Sequence, residues 1–224
     1  MRATTLILIF SLLPLAAQAA CRDEPKAQVD WSGCEKHRLM MGGTNLQGAR
    51  LGGAELDGSD LANANLSGAD LSRTSLDRVR LSGADLRGAK LVQITAYRAN
   101  FSGANLAGTD LSKAELIRTN LKSADLSNAN LEKAEFSRST LDEATLTGAN
   151  LTGADLARTS LQKAKLGGAR FTRARMFRTR LEDSDLSSTV GLTQLQLNSA
   201  CGNAQTKLPA GLKPASTWPC AKED

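Results

Sequence analysis

A large apolar residue recurs at every fifth position from Leu46 to Leu186, and this spacing constrains the fold more than any other feature of the chain. The large column has 29 positions, of which 24 are Leu, three are Phe and one is Met, and Ala96 is the single exception. Two residues before each of them lies a small column, from Thr44 to Ser184, with 18 Ala, six Thr and three Ser. The repeating unit therefore reads Ala-Asp/Asn-Leu-x-x.

A period of five residues excludes both regular secondary structures. On an α-helix, five residues advance by about 500°, so successive leucines would spread around the surface. On a straight strand an odd period alternates between faces and places half of the leucines in water. A chain that turns a corner in every unit directs them all inward, and the Gly, Asn and Ser residues after each large residue supply turn chemistry. The sequence predicts a narrow all-β solenoid with a packed interior.

The one exception in the large column supports inward positions for both columns. Where Ala96 replaces Leu, the small column carries Ile94 in place of Ala. Bulk lost at one inward position thus returns at the neighbouring one, as volume-conserving packing requires.

A longer period, of four units, indicates four sides per coil. Arg follows the large residue by two positions six times at this 20-residue spacing, in the arginine column Arg78, Arg98, Arg118, Arg138, Arg158 and Arg178. A second column at the same spacing is Gly at every position except Asn128, at Gly48, Gly68, Gly88, Gly108, Asn128, Gly148 and Gly168. Four five-residue units per period predict a square coil, with about seven coils stacked about 4.8 Å apart into a rod of about 35 Å.

These units resemble those of the pentapeptide-repeat family, and the resemblance covers Leu46 to Leu186 without a gap. It implies a right-handed quadrilateral β-helix with the large and small columns pointing inward. The flanks, at residues 29–34 and from Gly191 onward, resemble those of exported members. We predict an N-terminal cap segment at residues 20–43, the repeat β-helix at 44–190, and a C-terminal helix and strap at 191–224.

Residues 1–19 have the pattern of a secretory signal peptide. Arg2 supplies a positive charge, residues 6–17 are largely apolar, and a small-x-small cleavage pattern ends at Ala19. The apolar stretch is shorter than the roughly 20 residues that a membrane span needs. We predict cleavage near Ala19 and a periplasmic or secreted protein without a transmembrane span. A lipoprotein attached at Cys21 is the alternative, although Gln18 is a poor residue for a lipid-attachment site.

Four cysteines flank the array, with Cys21 and Cys34 before it and Cys201 and Cys220 after it. Four cysteines allow three connectivities. The local pairs Cys21–Cys34 and Cys201–Cys220 each close a short loop and pin one terminus, which is typical of an oxidising compartment. A metal site is the alternative, but it needs closer ligand spacing and usually histidine, and the chain has only His37. We predict two disulfides and no metal site.

Both ends of the array carry features of a cap. Trp31 continues the phase of the large column and Cys34 that of the small column, so Trp31 is predicted to plug the first coil. Downstream, Thr193 and Gln196 have capping-box spacing for a short helix. Gly202 suits the end of that helix.

No set of residues in the sequence fits a catalytic mechanism. His37 is solitary, so neither a Ser-His-Asp set nor a Cys-His pair can be assembled. The glycines follow the turn spacing and not that of a phosphate-binding loop. Most carboxylates directly precede a large residue, where Asp and Asn favour local backbone bonding. We expect no enzymatic activity, no cofactor and no small-molecule substrate.

The arginine column is the candidate functional surface. Six guanidinium groups about 5 Å apart repel one another unless anions lie between them. One interpretation is internal neutralisation, because an acid lies three residues before three of the arginines, at Glu115, Glu135 and Asp155. The other is an anion-binding or partner-binding face. A basic cluster between Lys163 and Arg180 adds positive charge at the end of the array.

Three functions follow from these observations. The first is a structural or protein-interaction module of the bacterial cell envelope that binds a protein or envelope polymer through flat faces. The second is a polyanion binder that holds lipopolysaccharide or acidic polysaccharide on the arginine column. The third comes from the resemblance alone, because some family members mimic DNA and protect topoisomerases from quinolones. Export opposes that function and a nucleic-acid partner, and so does charge, since the mature chain has 27 Lys and Arg against 23 Asp and Glu, a formal charge of +4. The sequence leaves the oligomeric state open.

Overall fold

The chain winds into coils of 20 residues with four sides each, as a computed structural model that describes residues 21–220 shows. Each strand is a single bridge residue between two-residue turns, and each bridge residue pairs in parallel with the residue 20 positions later. The series runs from Asp30–Arg50 to Arg170–Val190 at every fifth residue. The 20-residue period of the sequence is therefore the coil of the structure. The predicted signal peptide at 1–19 lies outside the described residues.

The ladder of bridges extends beyond the repeat array at both ends. It begins at Asp30, so part of the predicted N-terminal cap segment already runs as coil. After the array, Arg180 pairs with Cys201 and Asp185 pairs with Lys207, so these partners lie slightly further apart along the chain than one regular coil. The C-terminal segment thus covers the last coil with the same backbone pairing but a looser register.

The core consists of the two inward columns. Every large residue from Leu46 to Leu186 is buried, and every residue of the small column is buried except Thr44, which is half-buried. Ile94 and Ala96 are both fully buried, so the exchange of bulk between the columns takes place inside the rod.

Most backbone N–H and C=O groups of the repeat form hydrogen bonds with the neighbouring coils. Some of the remaining N–H groups donate to the side chain of the Asp or Asn in the unit. The N–H of a large residue donates to a carbonyl of the next coil, as from Leu66 to Asp85 at 2.7 Å. The turn residue after it has no such partner, and there the bridge residue two positions earlier accepts, as Asn65 Oδ1 does from the Ser67 N–H at 3.1 Å. Buried backbone groups need partners, and this local bond explains why Asp and Asn recur before Leu.

The N-terminal end is closed by Trp31 and a disulfide. Trp31 is fully buried, and its indole N–H donates to the carbonyl of Asp23 at 3.2 Å. Cys21 and Cys34 are joined, with their Cα atoms 5.5 Å apart. This confirms both the predicted pairing and the predicted plug.

The C-terminal cap begins with helix α1, Gln194–Ser199. Thr193 and Gln196 form the predicted capping box, in which the Thr193 N–H donates to Gln196 Oε1 at 2.8 Å. The Gln196 amide also donates to the carbonyls of Phe171 and Ala174, at 2.8 and 2.9 Å, and so fastens the helix to the last coil. Within residues 21–220, no helix is long and apolar enough to cross a membrane.

The expectation that Gly202 ends the helix is wrong. Helix α1 ends at Ser199, and Ala200 caps it in an extended conformation. Gly202 lies under the ring of Trp218, where a side chain would collide with the indole. The strap that carries Trp218 is held by the predicted second disulfide, Cys201–Cys220, with a Cα separation of 5.3 Å.

Candidate functional site

The arginine column lies along one side of the coil, here called the arginine face. On each coil this face presents a bridge residue, the residue after the large one, and the arginine, as in Glu115, Ile117 and Arg118. All six arginines of the column are exposed. The backbone pairing 20 residues apart stacks these positions directly above one another along the rod.

Each of these arginines occupies a left-handed backbone conformation. Their φ angles lie between 53° for Arg178 and 61° for Arg138. This region costs an ordinary L-residue roughly 1–2 kcal/mol and costs glycine almost nothing. On the opposite side of the coil, ten residues away, the same turn position is glycine on most coils, for example Gly68 and Gly88. The arginine face therefore carries long cationic side chains where the backbone alone would favour glycine.

Two aromatic rings lie between arginines on this face. The guanidinium carbons of Arg98 and Arg118 are 5.1 and 6.0 Å from the centre of the Tyr97 ring. Those of Arg158 and Arg178 are 5.8 and 5.9 Å from the Phe177 ring, which is 54% exposed. Sequence reasoning missed these rings, although they stand at the 20-residue period directly before the arginines. Cation–π contacts of this length order the guanidinium groups but do not neutralise them.

Internal neutralisation by the three predicted acids is not what the structure has. Between residues 21 and 220, Glu115 and Glu135 form no ion pair with the arginines that follow them. Asp155 pairs instead with Arg175, at 3.2 Å, and accepts from the Ala157 N–H at 2.9 Å. The first four arginines of the column likewise have no carboxylate partner among the described residues. Their positive charge faces solvent.

The basic cluster at the end of the array does not form one patch. Lys165, Arg170, Arg175 and Arg180 are successive bridge residues, so one of them lies on each side of the rod. Arg175 and Arg180 are also paired, with Asp155 and with Glu182. The cluster therefore surrounds the C-terminal end, and the arginine column is the longer continuous cationic feature.

Comparison with known proteins agrees with the fold. The family model for a pentapeptide repeat region matches residues 94–171, and that for pentapeptide repeats in eight copies matches 41–78, 54–93 and 154–190. No sequence among the curated proteins matches the chain significantly.

Among solved structures, HetL from the cyanobacterium Nostoc sp. strain PCC 7120 is similar to this chain. HetL is described as a pentapeptide repeat protein involved in heterocyst differentiation regulation. It is 26% identical with a TM-score of 0.60, over 80% of this chain and 85% of HetL. Two trypsin-treated variants of QnrB1, a plasmid-mediated fluoroquinolone resistance protein, have TM-scores of 0.54 and 0.58. They are 21% and 22% identical, over 84% and 76% of this chain and 87% and 85% of theirs. The two family models together span residues 41–190, and the chain belongs to the pentapeptide-repeat family, whose fold is a right-handed quadrilateral β-helix.

Proposed function

We propose that this protein is a non-enzymatic binding module of the bacterial cell envelope, and that its arginine face binds an anionic envelope polymer such as lipopolysaccharide or an acidic polysaccharide. The observation that carries the proposal is the run of exposed guanidinium groups from Arg78 to Arg138, none of which has a carboxylate partner within residues 21–220. The two disulfides support an oxidising compartment, as export by the predicted signal peptide requires.

The spacing of the column suits a chain-like ligand. Neighbouring coils lie about 4.8 Å apart, so an anionic chain along the rod meets one guanidinium group after another. Guanidinium binds phosphate, sulfate and carboxylate groups through paired N–H donors. The rings of Tyr97 and Phe177 add flat apolar surface beside these donors. An acidic protein segment would use the same donors, and it is the competing partner.

A DNA mimic is the poorer fit to this surface. Such a protein must present negative charge, whereas the arginine face is cationic and the chain as a whole has a formal charge of +5. The similarity to QnrB1, at 21% and 22% identity, concerns the fold.

A binding titration with a salt series tests the proposal. Purified lipopolysaccharide and heparin are titrated with the wild type and with the triple variant Arg98→Gln, Arg118→Gln, Arg138→Gln. Gln suits this turn, because Gln93 adopts it with φ 57°. Each lost anion contact should lower the slope of log affinity against log salt by about one. We expect weaker and less salt-dependent binding.

A matched control lies one side away on the same rod. Arg73, Lys113 and Arg173 occupy the same turn position, are exposed, and have φ of 60°, 58° and 59°. Their replacement by Gln removes the same charge without altering the arginine face. Equal losses in both triple variants would show nonspecific attraction and contradict the proposal. If both polymers fail to bind while an acidic peptide binds through the arginine face, the partner is a protein.

A further inference from the structure

At the N-terminal end of the arginine face, the side chains of His37, Glu55 and Asp57 form a cluster, although His37 is far from the two acids in the sequence. His37 lies on one coil and both Glu55 and Asp57 lie on the next, so they are distant along the chain, but coil stacking brings their side chains together. Glu55 Oε2 lies 3.1 Å from His37 Nε2, and Asp57 Oδ2 lies 3.8 Å from His37 Nδ1. One ligand atom from each of the three residues can be chosen so that all lie within 4.8 Å of one another.

The backbone on both sides of His37 fixes the cluster. The Lys36 N–H donates to the Glu55 carbonyl at 2.7 Å, and the Arg38 N–H donates to the Asp57 carbonyl at 3.0 Å. The His37 side chain lies between these two hydrogen bonds, so it stays over the coil that carries Glu55 and Asp57.

The Asp57 side chain is oriented by its other oxygen. Oδ1 accepts hydrogen bonds from the Ser75 hydroxyl and, at 2.9 Å, from the Asp77 N–H. Both donors occupy Oδ1, so Oδ2 is the oxygen that is directed toward His37. Asp57 is half-buried, whereas His37 and Glu55 are exposed and can adjust.

We propose that His37, Glu55 and Asp57 bind one divalent transition-metal cation, with Zn²⁺ as the representative ion. An imidazole nitrogen and two carboxylate oxygens are a donor set that zinc uses, at bond lengths of about 2.0–2.2 Å. In tetrahedral geometry such bonds place the ligand atoms about 3.4 Å apart, so the exposed side chains of His37 and Glu55 need to close by up to about 1.4 Å to bind the ion. The imidazole favours zinc, copper or nickel over calcium or magnesium.

The charge around the cluster fits a cation. Neutral imidazole with two carboxylates carries two negative charges, which a divalent ion balances. The cationic residues beside His37 do not fill this role, because neither Lys36 nor Arg38 forms an ion pair with Glu55 or Asp57 among the described residues. The Lys36 ammonium lies 4.2 Å from the centre of the Trp31 ring. All four cysteines are in disulfides, so no thiol competes for the ion.

Calorimetric titration of the oxidised protein with zinc chloride tests the site. The protein must carry no histidine tag, because His37 is then the only imidazole. We expect one ion per chain and at least ten-fold weaker binding in each of His37→Gln, Glu55→Gln and Asp57→Asn. Zinc should raise the melting temperature of the wild type, since an ion that binds only the folded chain stabilises it, and should not raise that of His37→Gln. The single imidazole gives one set of NMR signals, which zinc should shift.

Two neighbouring carboxylates provide matched controls. Glu35 is the bridge partner of Glu55 one coil earlier, and Asp77 follows Asp57 one coil later in the same column. Glu35→Gln and Asp77→Asn remove the same charge and should leave zinc affinity within about two-fold. Absence of zinc binding would overturn the proposal, and so would unchanged binding in His37→Gln. Equal losses in the controls would do the same, because they would show diffuse attraction to an acidic surface.

Discussion

A Cβ atom on Gly202 would lie 2.4 Å from Cζ3 of Trp218. The indole is held there, since its N–H donates to the carbonyl of Ala200 at 2.7 Å. We predict that Gly202→Ala displaces the ring and destabilises the C-terminal cap by about 1–3 kcal/mol, as overpacking typically does. Chemical unfolding measured by circular dichroism and tryptophan fluorescence checks this.

Gly167→Ala is the control for that substitution. Its added Cβ would meet nothing nearer than the Ser188 hydroxyl at 3.7 Å, and Gly167 does not have a positive φ. It should change stability by less than about 0.5 kcal/mol. Equal effects of the two substitutions would show that the strap does not pack as described.

A charged residue introduced into the interior of the rod should prevent folding, whereas one introduced on the outer surface of the same side should be tolerated. Leu126 is fully buried, so Leu126→Asp places an unpaired carboxylate among apolar side chains and should prevent folding. Thr147→Asp, at an exposed position on the same side of the rod, should be nearly silent. Thermal melts of both variants decide the matter, and two cooperative transitions at similar temperatures would refute the inward assignment of the large column.

The buried hydroxyl of Ser139 forms hydrogen bonds with two backbone groups. Ser139 Oγ accepts from the Thr119 N–H at 2.9 Å and donates to the carbonyl of Leu116 at 2.5 Å. Ser139→Ala leaves that buried N–H without its acceptor, and we expect a loss of about 1–3 kcal/mol in the free energy of unfolding.

Thr159→Ala is the matched control, because it also removes a buried hydroxyl but leaves no donor unpaired. In the folded protein the Phe136 carbonyl accepts hydrogen bonds from the Thr159 hydroxyl at 2.7 Å and from the Ser139 N–H at 2.9 Å. Thr159→Ala removes the first donor, and the carbonyl keeps the second. Urea unfolding should give the larger loss for Ser139→Ala. A loss in Thr159→Ala as large as that in Ser139→Ala would mean that the Thr119 N–H finds another acceptor.

Acid should weaken the fold partly through Asp185. Hydrogen bonds from the side chain and backbone of Ser187, and then from Lys207, lower the pKa of Asp185 to about 2. A depressed folded-state pKa stabilises the fold above the ordinary carboxyl pKa, and this contribution disappears as the pH falls from about 4 through 2. Asp185→Asn should therefore be slightly less stable than the wild type at neutral pH and equal to it near pH 2.

The Asn replacement suits this test because Asn45 serves the same turn on the same side of the rod, where it accepts from the Gln47 N–H at 3.1 Å. Unfolding measured across this pH range gives the difference between the two proteins. A difference that stays constant from pH 5 to 2 would contradict the assignment.

The sequence predicts the interior well because interior positions repeat. The five-residue period assigned Leu126 and Ile94 inward, the 20-residue period predicted four sides, and phase alone predicted that Trp31 would be buried. The disulfides followed from the positions of the cysteines outside the array. The role of Gly202 was predicted wrongly because a glycine beside a helix usually ends the helix. Only the position of the Trp218 ring shows that glycine is needed there to leave room for the indole.

The surface is harder to predict because its contacts join different coils. One interpretation of the sequence paired Asp155 with Arg158, three residues away, but its ion-pair partner is Arg175 on the next coil. His37 looks solitary along the chain, yet Glu55 and Asp57 of the next coil lie beside it. The 20-residue period contained this information, which becomes visible when residues one coil apart are compared as neighbours.

The four-sided coil also limits how such a protein can change its length. Deletion of one unit, for example residues 121–125, keeps the spacing of the large residues and so leaves the interior continuous. Every later unit, however, moves a quarter turn around the axis, so Arg138 and the arginines after it would leave the side that holds Arg118. Insertion or loss of one complete coil preserves all four sides. The interior thus accepts changes in steps of a single unit, whereas a functional face can be lengthened only by whole coils.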